Sequence, residues 1–188
     1  LKKVKPAGAK RNNSLPKEPS SALELLMNEY GTAVLRTAFF YLGDRHLAED
    51  VSQEVFIRAY RNWTRFRGES HVKTWLTKIT INVCRDKAGL KSSSEQPMDP
   101  VLMKQPRGAG VEEEAMKRME KTVILRHVMS LPAPYHEVIY LYYYMELSTT
   151  EIAEVTGTPE GTVRGRLHRA REALGQILKQ EGMSHGSS

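Results

Sequence analysis

The sequence predicts an all-α fold: two small helical domains joined by a flexible linker, the second containing two helices set at a tight turn. Three observations predict it. Apolar residues recur at helical spacing from Leu23 to Val83 and again from Tyr135 to Leu174. Between these regions, Lys91 to Gly110 reads KSSSEQPMDPVLMKQPRGAG, rich in Ser, Pro and Gly and without periodicity, as a linker does. Ser148 to Leu174, STTEIAEVTGTPEGTVRGRLHRAREAL, carries start, turn and restart signals in the order of a helix-turn-helix. The expected organisation is therefore a disordered basic tail over 1–19, a first domain over 20–90, a linker over 91–111, a second domain over 112–179 and a disordered tail over 180–188.

In the first domain, Ser21 and Glu24 form a capping box that opens a helix, and Leu23, Leu26, Met27, Tyr30, Val34, Thr37, Ala38 and Tyr41 continue its stripe to Gly43. Gly31 is expected to loosen or kink it. After the Gly43-Asp44 break, a second helix buries Leu47, Val51, Val55, Ala59 and Trp63, with Phe56 at the margin. Its outward face then collects Asp50, Gln53, Glu54, Ile57 and Arg61. An acidic patch with an isoleucine in its middle fits either a docking surface for a protein partner or a plain solvated face. Arg65 to Glu69 is a basic loop held by Phe66 and made pliant by Gly68, and Ser70 caps the third helix. There Val72, Trp75, Leu76, Ile79 and Val83 form the buried stripe. Thr74, Lys78, Ile81 and Arg85 line the other side, with Lys73 and Asn82 at its edges and Cys84 partly outward. Trp63, Phe66 and Trp75 could stack on exposed bases, but their spacing favours core.

The second domain opens with a helix from Glu112 to Ser130, acidic at its start and with His127 near its end, as the helix dipole favours. Leu131-Pro132-Ala133-Pro134 breaks it, and Tyr135 to Met145 forms a supporting helix whose tyrosines should mostly pack. Ser148 and Glu151 make a capping box, Gly157 closes the short helix in the left-handed conformation, and Thr158 caps the next, with Pro159 at its first position. Val163, Leu167, Ala170 and Leu174 face Ile152, Ala153 and Val155. What remains outward is Thr162, Gly165, His168 and Arg169, flanked by Arg164, Arg166 and Arg171, a cationic surface of about major-groove width.

Composition agrees. Lys+Arg of 28 against Asp+Glu of 22 gives a net charge of +6 over 188 residues, which favours an anionic partner such as nucleic acid. One cysteine, Cys84, excludes an internal disulfide and a Cys-rich zinc site, and the histidines show no ligand spacing. No apolar run is long enough to span a bilayer, and the basic N-terminal residues lead into no apolar segment, so membrane insertion is not expected and a reducing cytoplasm fits best. No phosphate-binding loop, dinucleotide fingerprint, nucleophile elbow or HExxH occurs, so no catalysis, cofactor, metal or small-molecule substrate is expected.

Three motifs in order, Ala48-Glu49-Asp50-Val51-Ser52-Gln53-Glu54-Val55-Phe56, Arg65-Phe66-Arg67-Gly68-Glu69-Ser70 with Thr74-Trp75-Leu76, and the helix-turn-helix ending Arg166-Leu167-His168-Arg169-Ala170, carry a family likeness. Together they strongly resemble an extracytoplasmic-function sigma factor, from Ser21 to Leu178. The resemblance implies that the first domain binds core RNA polymerase through Asp50, Gln53, Glu54 and Ile57. It implies that Arg67, Gly68, Glu69, Ser70 and His71 capture a flipped minus-10 base beside Lys78 and Asn82. The second domain would read the minus-35 element of promoter DNA through Thr162, Arg164, Gly165, Arg166, His168, Arg169 and Arg171. Gly165 stands where relatives commonly carry serine, so a hydrogen bond is in doubt there. The resemblance also implies an anti-sigma partner, often membrane-anchored. Two rival readings stand beside it. A two-component regulator shares the EIAEVTGTPEGTV pattern, but its alternating strand and helix receiver is not what lies upstream; a helical adaptor would carry its basic faces only as solvation.

Overall fold

The computed structural model describes residues 15–89 and 123–184, with the side chains of 123–125 and 181–184 left aside. The tail at 1–14, the linker, the acidic helix start at Glu112 and the last residues, 185–188, lie outside the described residues. All regular structure among the described residues is helical, in two compact units.

The first unit consists of α1 (Pro19–Leu42), α2 (Arg45–Asn62) and α3 (Val72–Lys87), each packed on the other two, with a 3-10 turn at Trp63–Arg65. Helix α1 opens earlier than expected. Its cap is Glu18, whose carboxylate accepts from the backbone N–H of Ser20 at 3.0 Å and of Ser21 at 2.8 Å, not a Ser21–Glu24 box. These bonds, with the Ser20 hydroxyl first among them, hold the Glu18 carboxyl down at about 2. The expected tail over 1–19 is likewise corrected at its end, because the Trp63 indole Nε1–H donates to the Pro16 carbonyl at 3.0 Å and ties this stretch to the core. Helix α1 runs unbroken through Gly31 and closes at Gly43, φ 64°, whose N–H donates to Phe39. Its buried side is Ala22, Leu26, Val34, Thr37, Ala38, Phe40, Tyr41 and Leu42; Met27 is 51% exposed and Leu23 and Tyr30 are half-buried.

Helix α2 is capped by Asp44, which accepts from Leu47 N–H at 2.9 Å. Its buried side is Ala48, Val51, Val55, Phe56, Ala59 and then Trp63, while Leu47, expected inside, is 44% exposed. Ala48, one place on and fully buried, takes the inward position at this end of the helix, as Ala59 does further along. Helix α3 is corrected more widely. His71, not Ser70, flanks its start, and Thr74 and Ile81, expected outward, are fully buried with Val72, Leu76, Thr77, Thr80, Val83 and Cys84. A helix wedged between two partners buries more than one narrow stripe. Its threonines can join the interior because the hydroxyls of Thr77 and Thr80 donate back to the carbonyls of Lys73 and Leu76, at 2.8 Å each. Cys84 is buried, not partly outward, and burial pushes its thiol up to about 12.

The second unit comprises α4 (Val123–Ser130), α5 (Ala133–Ile139), a π turn at Tyr140–Tyr144, α6 (Thr149–Thr156) and α7 (Glu160–Ser184). The supporting helix begins at Ala133 instead of Tyr135 and ends in the π turn, where Met145 N–H reaches Tyr140 O at 3.1 Å. This wide turn buries Tyr140 and Leu141 and leaves Tyr142 and Tyr143 half-buried at the edge of α7. Val128, Leu131, Ala133, Val138, Ile139, Met145, Leu147, Ile152, Val155, Val163, Leu167, Ala170 and Leu174 are buried with Tyr140 and Leu141. Helix α7 runs to Ser184, beyond the expected boundary at 179.

Candidate DNA-binding and docking surfaces

The helix pair of the second unit forms as its local chemistry demands. The Ser148 hydroxyl accepts from Glu151 N–H at 3.2 Å while the Glu151 carboxylate accepts from Ser148 N–H at 2.9 Å, so two orphan donors of α6 are satisfied reciprocally. Gly157, at φ 71°, gives the left-handed closure, its N–H donating to Ala153 at 3.0 Å. Pro159 stands one place outside α7, not at its first position, and its carbonyl accepts from Val163 N–H at 3.0 Å. Val163, Leu167, Ala170 and Leu174 are buried against Ile152 and Val155, with Ala153 only half-buried.

The opposite side of α7 carries Thr162, His168 and Arg169 exposed, with Gly165 and Arg166 half-buried. The flanking arginines differ in how they are held. Arg164 donates to Glu160 Oε1 through Nη2 at 2.7 Å and Nε at 3.1 Å. Arg171 donates through Nε to the Tyr143 hydroxyl at 2.9 Å, and its guanidinium lies 5.2 Å from the Tyr142 ring centre and 5.6 Å from that of Tyr143. His168 lies 3.6 Å from Glu172, one turn on. Arg166 and Arg169 make no ion pair with the described residues. This face offers planar donors set on a rigid helix, suited to phosphate oxygens and guanine edges. The tyrosines, read from the sequence as packing, include two that orient a surface arginine; the signal missed was the π turn, which helical periodicity does not register.

The second candidate surface is the loop before α3. Arg65, Arg67, Gly68, Glu69 and His71 are exposed and Ser70 half-buried, with Gly68 at φ 71°. Further along α3, on successive turns leading away from the loop, Lys78 and Asn82 are exposed. Trp63, Phe66 and Trp75 form an aromatic base under the loop, with ring centres 5.5 Å (Trp63–Phe66), 6.0 Å (Trp63–Trp75) and 4.8 Å (Phe66–Trp75) apart. Trp63 is core, but Phe66 and Trp75 are half-buried. One helical turn separates Trp75 from both His71 and Lys78, so the spacing that favoured core understated a half-open aromatic face among the polar donors.

The third surface is the outer side of α2. Asp50, Gln53 and Ile57 are exposed there, Ile57 at 44%. Glu54 is half-buried and accepts from Arg58 Nε at 2.8 Å, and Arg58 in turn reaches Asp86 of α3 at 3.1 Å. Leu47 and Tyr60 are also exposed on this helix, at 44% and 45%, so more apolar area is uncovered than Ile57 alone supplies. Among the described residues no group of His, Cys, Asp or Glu could hold a metal ion, and no helix is long and apolar enough to cross a membrane.

Comparison with known proteins adds independent findings. Residues 26–91 match the family model of Sigma-70 region 2, and residues 122–174 that of Sigma-70, region 4. The ECF RNA polymerase sigma factor SigW of Bacillus subtilis is 33% identical, across 90% of this chain and 96% of its own. The ECF RNA polymerase sigma-E factor of Escherichia coli K12 is 32% identical, across 84% of this chain and 87% of its own. Among solved structures, CnrH in complex with the cytosolic domain of CnrY shares the fold at TM-score 0.61, with 24% identity over 86% of this chain and 90% of that one. The sigma factor RpoE of Bartonella quintana, in complex with the anti-sigma factor NepR, does so at TM-score 0.56, with 21% identity over 87% and 98%.

Proposed function

The chain belongs to the extracytoplasmic-function sigma factors of the sigma-70 family, and on that premise we propose how its surfaces divide the work of directing core RNA polymerase to promoters. The outer side of α2, with Asp50, Gln53, Glu54 and Ile57, docks on the polymerase. The loop Arg67 to His71, with Lys78 and Asn82, takes up a minus-10 base extruded from the duplex. The outward side of α7, with Thr162, Arg164, Gly165, Arg166, His168 and Arg169, reads the minus-35 element. Arg171, tied to Tyr143, contributes at the groove wall.

The observation that supports this reading is the presence of two unlike cationic surfaces in two separate units. One is a loop that turns on a left-handed glycine over a half-open aromatic base and the other a long cationic helix. A base leaves the stack at a cost of a few kcal/mol, repaid by stacking and by donors that meet its edge. Trp75, Lys78 and Asn82 supply that combination. The chain's role is binding, without catalysis of its own, and it works in the cytoplasm where polymerase is. Since the sigma factor RpoE of Bartonella quintana, a structural neighbour, is bound to the anti-sigma factor NepR, a cognate anti-sigma protein covering these same surfaces completes the partner set.

The test is to add the folded protein to core RNA polymerase and map transcript starts on genomic DNA. Starts at discrete positions are expected. Starts as random as with core alone contradict the proposal.

A further inference from the structure

We infer that Glu160 is a specificity-determining positioning residue: it presets Arg164 for the promoter-bound register and withholds that arginine from non-specific phosphate contact. The inference rests on the reading of α7 as the minus-35 reader and deepens it. Glu160 is the first residue of α7, and one of its oxygens, Oε1, gathers three donors. The Thr149 hydroxyl, from the start of α6, lies 2.8 Å away, and Arg164 approaches with Nη2 at 2.7 Å and Nε at 3.1 Å. The carboxylate thus joins the two helices of the motif and fixes a guanidinium one turn along the second. These bonds, with the Thr149 hydroxyl foremost and Arg164 next, hold the Glu160 carboxyl below its ordinary range, so it stays charged.

Two consequences follow from elementary chemistry. A guanidinium held by its Nε and Nη2 leaves Nη1 available, so Arg164 can still donate to DNA, but only from a fixed orientation. Side-chain freedom lost before binding is not lost again on binding, which favours the register that this orientation matches. The second consequence concerns all other DNA. Non-specific affinity comes from cations that neutralise phosphates and release counterions. An arginine already paired with a carboxylate contributes little to it. Arg166 and Arg169 have no such partner among the described residues, so the restraint is particular to Arg164.

The experiment uses the full chain with core polymerase. Duplexes recovered by the wild-type holoenzyme from a library randomised upstream of the start site are compared with the unselected pool, and the affinity ratio of the two is measured at several salt concentrations. Glu160→Ala should tighten pool binding, raise the salt slope by about one, and lower the ratio about fivefold. In an Arg164→Ala background the same change should alter the ratio less than about twofold, because the residue acts through Arg164. Glu160→Gln keeps an acceptor for Thr149 while removing the charge, so it remains readable if alanine loosens the helix pair; a fall of about twofold is expected. An unchanged ratio in both Glu160 variants overturns the inference, as does an equal fall with Arg164 absent. If the wild-type holoenzyme itself does not distinguish the selected from the unselected duplexes, the reading of α7 fails and takes the inference with it.

Discussion

The cations of the first unit sit on a loop that turns on a left-handed glycine, whereas those of the second sit on one long helix where neighbours already hold two of them. Arg65 and Arg67 precede Gly68 and are exposed to solvent. Arg164 and Arg171 are pinned by Glu160 and by Tyr143. The difference matches two physical tasks. A surface that accepts a base pulled from its stack must adapt to a strand that has no fixed shape beforehand. A surface that enters an intact groove meets a known shape, so preset side chains lose less entropy there. On the proposed reading, pliant capture and rigid reading fall to separate units of the same chain.

The comparison breaks most severely at the aromatic base under the loop. Trp63→Ala removes a buried indole that packs on Phe66 and Trp75 and donates to Pro16. It should cost the first unit about 3 to 5 kcal/mol. Denaturant unfolding followed by circular dichroism should show an early transition for this unit, with the second unit's transition unmoved; a common shift of both would contradict separate cores.

A sharper cut is made on the helix side. Arg169→Ala should flatten discrimination at one minus-35 position by about 1 to 3 kcal/mol, since Arg169 is exposed and without an ion pair among the described residues. Arg166→Ala should weaken all sequences alike and lower the salt slope by roughly one. Binding to single-base promoter variants separates the two; equal weakening of every variant by Arg169→Ala would place specificity elsewhere.

A smaller effect is expected from the glycines. A Cβ at Gly165 meets nothing within 4 Å, so Gly165→Ala should stabilise α7 by about 1 kcal/mol without a clash. Gly68→Ala puts a side chain at φ 71° and should cost about 1 kcal/mol or more while stiffening the loop. Thermal melts of the two variants should therefore move in opposite directions.

The units should also respond to acid in different windows. Burial pushes the His136 imidazole below its ordinary value, although its Nδ1–H donates to the Leu131 carbonyl at 3.1 Å. The unfolded state therefore takes up the proton first, and the second unit should begin to lose stability as pH falls through about 6.5. Glu18, held at about 2, acts on α1 with the opposite protonation chemistry but the same direction: its stabilisation is present above 4.5 and fades as pH falls toward about 2. Melts taken from pH 7 to 4 should show the second unit weakening first, and His136→Gln should remove that early loss.

Much of this was legible in the residues. The capping box at Ser148, the closing glycine at 157 and the stripe from Val163 to Leu174 are local signals, and local signals set the helix pair. The surface of α2 was legible because acids at helical spacing have no place in an interior. The register of α3 was not, since Thr74, Thr77 and Thr80 look polar as letters yet are buried in the interior. Periodicity ranks side chains by polarity and cannot see a hydroxyl turned back onto its own helix. Nor could it see Glu18 displacing Ser21 as cap, where two competent residues compete within one turn, or the π turn that aims Tyr143 at Arg171. The held arginines were hidden for the same reason: spacing gives a face, whereas an ion pair depends on rotamers.

The division between capture and reading is tested most directly by following Asn82→Ala and Arg169→Ala holoenzymes on one promoter, with closed-complex affinity and permanganate reactivity of unpaired thymines measured side by side. Asn82→Ala is expected to keep closed-complex affinity near wild type and lose thymine reactivity, while Arg169→Ala is expected to lose affinity and, once bound at saturating protein, to open the DNA normally. If both variants fail at the same step, the two surfaces do not divide the work and the account is contradicted.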